Sequence, residues 1–269
     1  KRRINRPWRE KRTARRTKRK KRRPPTDTPL PAHQPRGVSC GDGAPKADEA
    51  ASVGEAPAGD KHQLRAARKA AEIADFEARC NLGATVVLDL EWGEYLRDRE
   101  HKSLVQQVLY SYGSNRSSTC PVRLVLSGMN EDSKTLQCLR KMAGFPHAWA
   151  GVTILKEPYI EHYASEADRK RLVYLTADTD EVITEFDPER IYVIGGIVDH
   201  NRLKLSTRKK ADEQGIATAR LPLGEHIDMG CYSRVLAVNH VLDIVVAHQH
   251  LRDWRATFAK CVPGRKRFL

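Results

Sequence analysis

No apolar run in this sequence approaches the ~18 residues that a membrane-spanning helix needs, so the expectation is a soluble chain with no membrane partner. The six cysteines, Cys40, Cys80, Cys120, Cys138, Cys231 and Cys261, are scattered without a CxxC pair, and no signal peptide is read. That pattern suits a reducing compartment in which thiols are mostly small buried hydrophobes. His240, His248 and His250 have no Cys or acid at ligand spacing from another His pair, so no metal site is expected. Neither GxGxxG after the first strand nor GxxxxGK[ST] is present, which removes the support for a dinucleotide fold or a P-loop. No kinase signature is present, and the GxSxG match GVSCG at 37–41 lies in a proline-rich stretch with no strand run before it, so no nucleophile elbow is read.

What is abundant is positive charge, and it is concentrated. The first 23 residues hold fifteen Lys or Arg against one acid, Glu10, and this segment alone carries the +14 formal charge of the whole chain. The remainder is formally neutral. Like charge at this density repels itself and buries no apolar surface, so residues 1–23 are expected to be disordered without a polyanion. Two compatible roles follow: a nuclear-import tail, for which Lys18 to Arg23 would serve, and a phosphate-binding arm with salt-dependent affinity. The expected location is nucleus, cytoplasm or both. A mitochondrial presequence is disfavoured, because the segment has no Ser and few apolar residues.

Pro24 to about Asp60 contains half of the prolines and reads as a linker, so residues 1–60 form a basic tail and linker. Strong helix formers over 61–80 predict a lead-in helix, and 81–269 is left as the folded domain. There, short β-branched runs at 85–92, 122–128, 150–155, 172–176, 190–198 and 217–223 alternate with helical patterns near 101–112, 133–143, 161–168, 178–186, 203–214 and 233–250. Continuous apolar strands alternating with helices predict an α/β domain with a mostly parallel sheet and helices on both faces. Such sheets bind ligands outside the carboxyl ends of their strands. Asp89, Ser127, Gly128, Thr176, Asp178, Gly195, Asp199, Pro222 and Gly224 fall there. Asp178 followed by Glu181 reads as a capping box, and Asp89 as a structural or supporting acid. Asp199 follows two glycines and precedes Asn201, Arg202 and Lys204, which reads as backbone opened to a ligand beside a carboxylate.

The stretches "QQVLYSYGSNRSSTCPVRLVLSG", "RLVYLTADTDEVITEFDPERIYVIGGIVDHNRLK", "GIATARLPLGE", "SRVLAVNHVLDIV" and "DWRATFAKCVPGRK" resemble, in order over roughly residues 81–267, the tRNA (guanine-9-N1)-methyltransferase family of the SPOUT superfamily. The resemblance implies a carboxyl-terminal trefoil knot, a rare exception to the usual connection rules, with S-adenosylmethionine as cofactor and tRNA as partner. It implies cofactor contacts at Leu175, Thr176, Gly195, Gly196, Thr207, Leu221, Leu223, Arg234, Val235 and Leu236. Asp199 falls on the family's candidate general base, and Gln107, Arg116, Asn201, Arg202 and Lys204 fall on its tRNA side. Read on its residues alone, Arg116 would close a helix or pair with a surface acid. The resemblance further implies a monomer. Two departures stand out: Leu205 where family members often have glycine, and a segment before Arg234 one residue longer than usual. The expected activity is N1-methylation of guanine at position 9. N1-methylation of adenine there, or a non-catalytic tRNA-binding or processing subunit, are the alternatives.

Overall fold

The computed structural model describes residues 58–269 except 143, 200, 201, 229–233, 263–266 and 269. The basic arm, nearly all of the linker, and Asn201 therefore lie outside the described residues. Six strands, β1 (Thr85–Asp89), β2 (Arg123–Ser127), β3 (Val152–Ile154), β4 (Leu172–Leu175), β5 (Ile191–Gly195) and β6 (Ala217–Ala219), form one sheet in the order β3-β2-β1-β5-β4-β6. Every pairing within it is parallel. All six expected strands are present, each shorter than its apolar run. The register aligns Asp89 with Ser127 on one side and Gly195 on the other, so the polar strand ends collect along one edge. The order reverses between β1 and β5, the kind of switch point where such sheets hold ligands.

Strand residues alternate between two apolar layers. Val86 and Leu88 face α2 (Asp98–Ser117), α3 (Lys134–Leu139) and α8 (Val238–Leu251), whose Leu104, Val108, Leu136, Leu242 and Val245 belong to the same cluster. Val87 faces the other layer, with Tyr159 of α4 (Tyr159–His162) and Ala211 of α6 (Ser206–Gln214). Helix α5 (Glu166–Arg171) leads directly into β4, and the expected helix near 161–168 is thus two short ones. A smaller cluster joins α7 (Leu223–His226) and α9 (Trp254–Cys261) to Ile244 of α8. The two-residue strands β7 (Ile227–Asp228) and β8 (Arg267–Phe268) pair antiparallel. The lead-in helix α1 spans Ala58–Leu82, and its buried contacts are Phe76 and Cys80 near its end.

Three local expectations are corrected. The run at 85–92 stops at Asp89, whose carboxylate accepts from the Glu91 N–H (3.3 Å) and Trp92 Nε1 (3.0 Å). Those bonds compete with the ladder and fold the chain into a 3-10 turn, Glu91–Tyr95. Residues 178–186 are not helical. Val182 bridges Arg220 in parallel, and the Ile183 N–H reaches the Arg220 carbonyl (3.0 Å), extending the sheet edge with β-branched residues that suit it. Asp178 is consequently no capping-box residue; its Oδ2 accepts from the Leu205 N–H (3.1 Å). Lastly, α8 begins at Val238, five residues after the expected start, so 234–237 is loop.

Leu205 sits at φ 60°, in the left-handed region, immediately before α6. Such a backbone costs a non-glycine residue about 1–3 kcal/mol. The Asp178 bond to its N–H helps hold that turn, and the Leu205 side chain remains exposed.

Candidate active site

The edge where the strands end is tied together by a buried charged network. Asp89 is fully buried, and its Oδ2 accepts from Tyr174 Oη (2.8 Å), Trp92 Nε1 (3.0 Å) and Lys210 Nζ (2.8 Å). Lys210 also donates to Glu91 Oε2 (2.8 Å), and its ammonium lies 5.1 Å from the Trp92 ring centroid and 5.6 Å from that of Tyr159. Burial works to lower the Lys210 pKa, yet Asp89 and Glu91 together hold it above the ordinary lysine value. Burial, reinforced by Asp89, pushes the Tyr174 hydroxyl well above the usual tyrosine range, so it remains a donor. Helix α6 is thereby pinned to the ends of β1 and β4. Asp89 takes the supporting role its position suggested.

The two glycines above this network are explained by packing. A Cβ on Gly196 would lie 2.7 Å from the Asp89 carbonyl oxygen, to which the Gly196 N–H donates at 2.8 Å. A Cβ on Gly195 would lie 2.9 Å from Tyr174 Oη and 3.0 Å from Thr207 Cγ2. Only glycine lets β5 run this close to β1 and α6. Gly195 also lines a pocket, and Gly196 does not.

That pocket opens beyond the ends of β4, β5 and β6. Its floor and walls are Leu175, Ile194, Leu221, Leu223, Val238 and Val241, with Thr176, Asp178, Thr207, Arg220 and Arg234 as polar members. Nine of the ten residues expected at the cofactor, all except Gly196, line it, and so does Asp199. The Thr176 and Thr207 hydroxyls are hydrogen-bonded at 2.8 Å, locking β4 to the first turn of α6. Sequence reasoning missed Ala177, Ile194, Ile197, Leu203, Arg220, Val238 and Val241, and read Asp178 as a cap. Asp178 was legible as a polar residue at a strand end, whereas Val238 and Val241 look like ordinary core positions of a helix.

A second groove lies alongside, between the start of α2 and the turn after β5. Arg97, Arg99, Glu100, Ser103 and Gln107 form one wall, and Ile197, Asp199, Val235 and Leu236 belong to both cavities. Asp199 therefore stands at the partition. Its Oδ2 accepts from the Leu203 N–H, closing its own turn.

The residues expected on the tRNA side separate. Gln107 lines the second groove, but its Oε1 accepts from the Val238 N–H (2.9 Å) and its Nε2 donates to Ser103 Oγ (3.3 Å). Ala237, the residue preceding α8, supplies no side-chain cap, so Gln107 performs that task from another helix. Arg202 donates to the Tyr95 carbonyl (2.8 Å) and to Glu100 (3.3 Å). Lys204 is exposed, with no hydrogen bond or ion pair among the described residues. Arg116 is not brought to either groove. It occupies the last turn of α2, eighteen residues after the helix start at the site, with its guanidinium 4.2 Å from the Phe76 ring centroid. A helix rising about 1.5 Å per residue carries it to the opposite end of the domain.

Among the described residues no group of three or more His, Cys, Asp or Glu is placed to hold a metal ion. Of the four described cysteines, all free, Cys80 is buried and Cys120, Cys138 and Cys261 are partly buried.

A family model described as tRNA (guanine(9)-N(1))-methyltransferase TRM10/TRM10A matches residues 1–267. The tRNA (guanine(9)-N1)-methyltransferase of Schizosaccharomyces pombe is 38% identical over 68% of this chain and 59% of its own length. A tRNA methyltransferase 10 homolog A of Xenopus tropicalis is 36% identical over 67% of this chain and 52% of its own. The chain thus spans between half and three-fifths of the length of these curated relatives. Among solved structures, full-length spTrm10 in complex with SAH superposes with a TM-score of 0.60 at 36% identity, covering 68% of this chain and 98% of that one.

Proposed function

This chain belongs to the TRM10/TRM10A family of tRNA (guanine(9)-N(1))-methyltransferases, and from that premise we propose that it methylates N1 of guanine at position 9 of tRNA, with S-adenosylmethionine as methyl donor. The observation that carries the reading is the position of Asp199, on the partition shared by the apolar pocket and the second groove. The pocket suits the cofactor: Leu175, Ile194, Leu221 and Leu223 offer an apolar bed for a purine. Asp178 and Arg234 offer opposite charges for an amino-acid end. When bound, S-adenosylmethionine supplies an electrophilic methyl group on sulfonium sulfur; the SAH seen with the spTrm10 relative is its demethylated product.

The rest is the work of this chain's own residues. Guanine N1 carries a proton at neutral pH, and its lone pair becomes nucleophilic as that proton leaves. A carboxylate within hydrogen-bond reach of the base accepts or orients the proton, and Asp199 is the acid on the partition. Both cavities share Val235 and Leu236, so holding that loop holds two bound partners in register. Gln107 secures it from α2. Gln107→Leu is expected to weaken cofactor binding roughly fivefold, the equivalent of about 1 kcal/mol for one lost hydrogen bond. Calorimetric titration checks this, and an unchanged Kd would confine Gln107 to the tRNA side.

The target base is stacked inside folded tRNA and must be exposed by distortion or flipping. Residues 1–23, with their fifteen basic side chains, supply affinity for the phosphate backbone while the neutral domain, acting as a monomer, selects the base. The deciding test is single-turnover methyl transfer to two matched tRNA transcripts, one with G and one with A at position 9. Transfer to G supports the reading. Transfer to A alone replaces guanine by adenine, and binding of both without transfer replaces the enzyme by a tRNA-binding subunit.

A further inference from the structure

Among the described residues, the Arg202 side chain ties the turn carrying Asp199 to the start of α2. Arg202 Nη2 donates to the Tyr95 carbonyl (2.8 Å) and to Glu100 Oε2 (3.3 Å), while the Arg202 N–H reaches the Asp199 carbonyl (3.3 Å). Glu100 is fixed in its own right. It is the third residue of α2, its Oε2 also accepts from the Arg97 N–H (2.8 Å), and its side chain is 12% exposed. The contacts run without a break from the first turn of α2 through Glu100 and Arg202 to Asp199.

We propose that Glu100 is a positioning residue for Asp199, acting through Arg202, and that Arg202 anchors the turn instead of holding RNA phosphate. The proposal rests on the reading of Asp199 given above. An exposed ion pair contributes little stability. This one has a different use, because its carboxylate already caps a helix and its guanidinium also binds a backbone carbonyl, so the geometry of both ends is set before the pair forms. The pair joins the α2 wall of the second groove to the partition and fixes the separation between them. Lys204, exposed and unengaged among the described residues, is the cation of this turn left for phosphate.

The test uses the full chain and a tRNA transcript with G at position 9. Glu100→Gln is expected to lower the single-turnover rate about tenfold, since small displacements of a reacting group cost rate steeply. The tRNA Kd should stay within about twofold, and Glu100→Asp should recover part of the rate. Arg202→Ala should lower the rate without changing the dependence of log Kd on log salt, whereas Lys204→Ala should flatten that slope by about one. A full rate in Glu100→Gln, or a slope flattened by about one in Arg202→Ala, overturns the proposal. Hydrogen exchange at the Arg202 and Leu203 amides gives a readout that does not depend on catalysis. Glu100→Gln should accelerate it there and leave the sheet unchanged, and unchanged exchange at those amides also overturns the proposal. If wild-type protein transfers no methyl group, the activity reading has failed, and the exchange measurement still decides whether Glu100 holds the turn.

Discussion

Asp199→Asn is expected to lower the single-turnover rate of methyl transfer to a G9 transcript by about 100-fold or more, with little change in tRNA affinity. Removing a positioned proton acceptor costs about 10²–10⁴ in rate. The substitution is suited to this site because the Asp199 carboxylate also closes its own turn by accepting from the Leu203 N–H. Asparagine keeps an oxygen acceptor for that bond and loses the carboxylate's charge and its ability to take a proton. A variant rate near that of wild type would mean that Asp199 does not take the proton. An A9 transcript sharpens the comparison, since adenine N1 has no proton to lose before attack and any transfer to it should be less sensitive to the substitution.

Lys210→Met is expected to destabilise the domain by about 3–5 kcal/mol, the usual consequence of breaking a buried ion pair from one side. The Asp89 carboxylate would keep Tyr174 and Trp92 as donors but would lie in the core with no cation, and Glu91 would lose its partner as well. With typical domains stable by only about 5–15 kcal/mol, such a loss is large. Urea denaturation measures it as a fall in midpoint at constant slope. A change below about 1 kcal/mol would show that the network is hydrated and contributes little. The sign with pH also follows. Because Lys210 has a raised pKa in the folded protein, its contribution is complete below the ordinary lysine pKa near 10.5 and is lost as pH climbs above it through the folded value. Alkaline destabilisation should accordingly be weaker in Lys210→Met.

The β-branched runs and most of the helical patterns between them determined the strands of the sheet and the helices that cover it. Strand and helix periods are properties of local sequence, and all six strands lie inside the runs that announced them. Of the candidate pocket, Thr176, Asp178, Gly195 and Asp199 were legible because ligands in parallel sheets collect at strand ends, whereas Leu175, Thr207, Leu221, Leu223 and Arg234 to Leu236 came only from the family resemblance. The tertiary structure decided what each polar side chain is used for. Gln107 is a substitute cap for α8, Arg202 binds Glu100 and a carbonyl, and Arg116 is carried away from the grooves by the length of α2. Asp178 takes the Leu205 amide where a capping box was expected, and Lys210, one of many lysines in the sequence, is the cation paired with Asp89. Periodicity constrains which face a residue occupies. Partners more than a hundred positions apart, such as Asp89 and Lys210 or Gln107 and Val238, meet only when the sheet order brings their elements together.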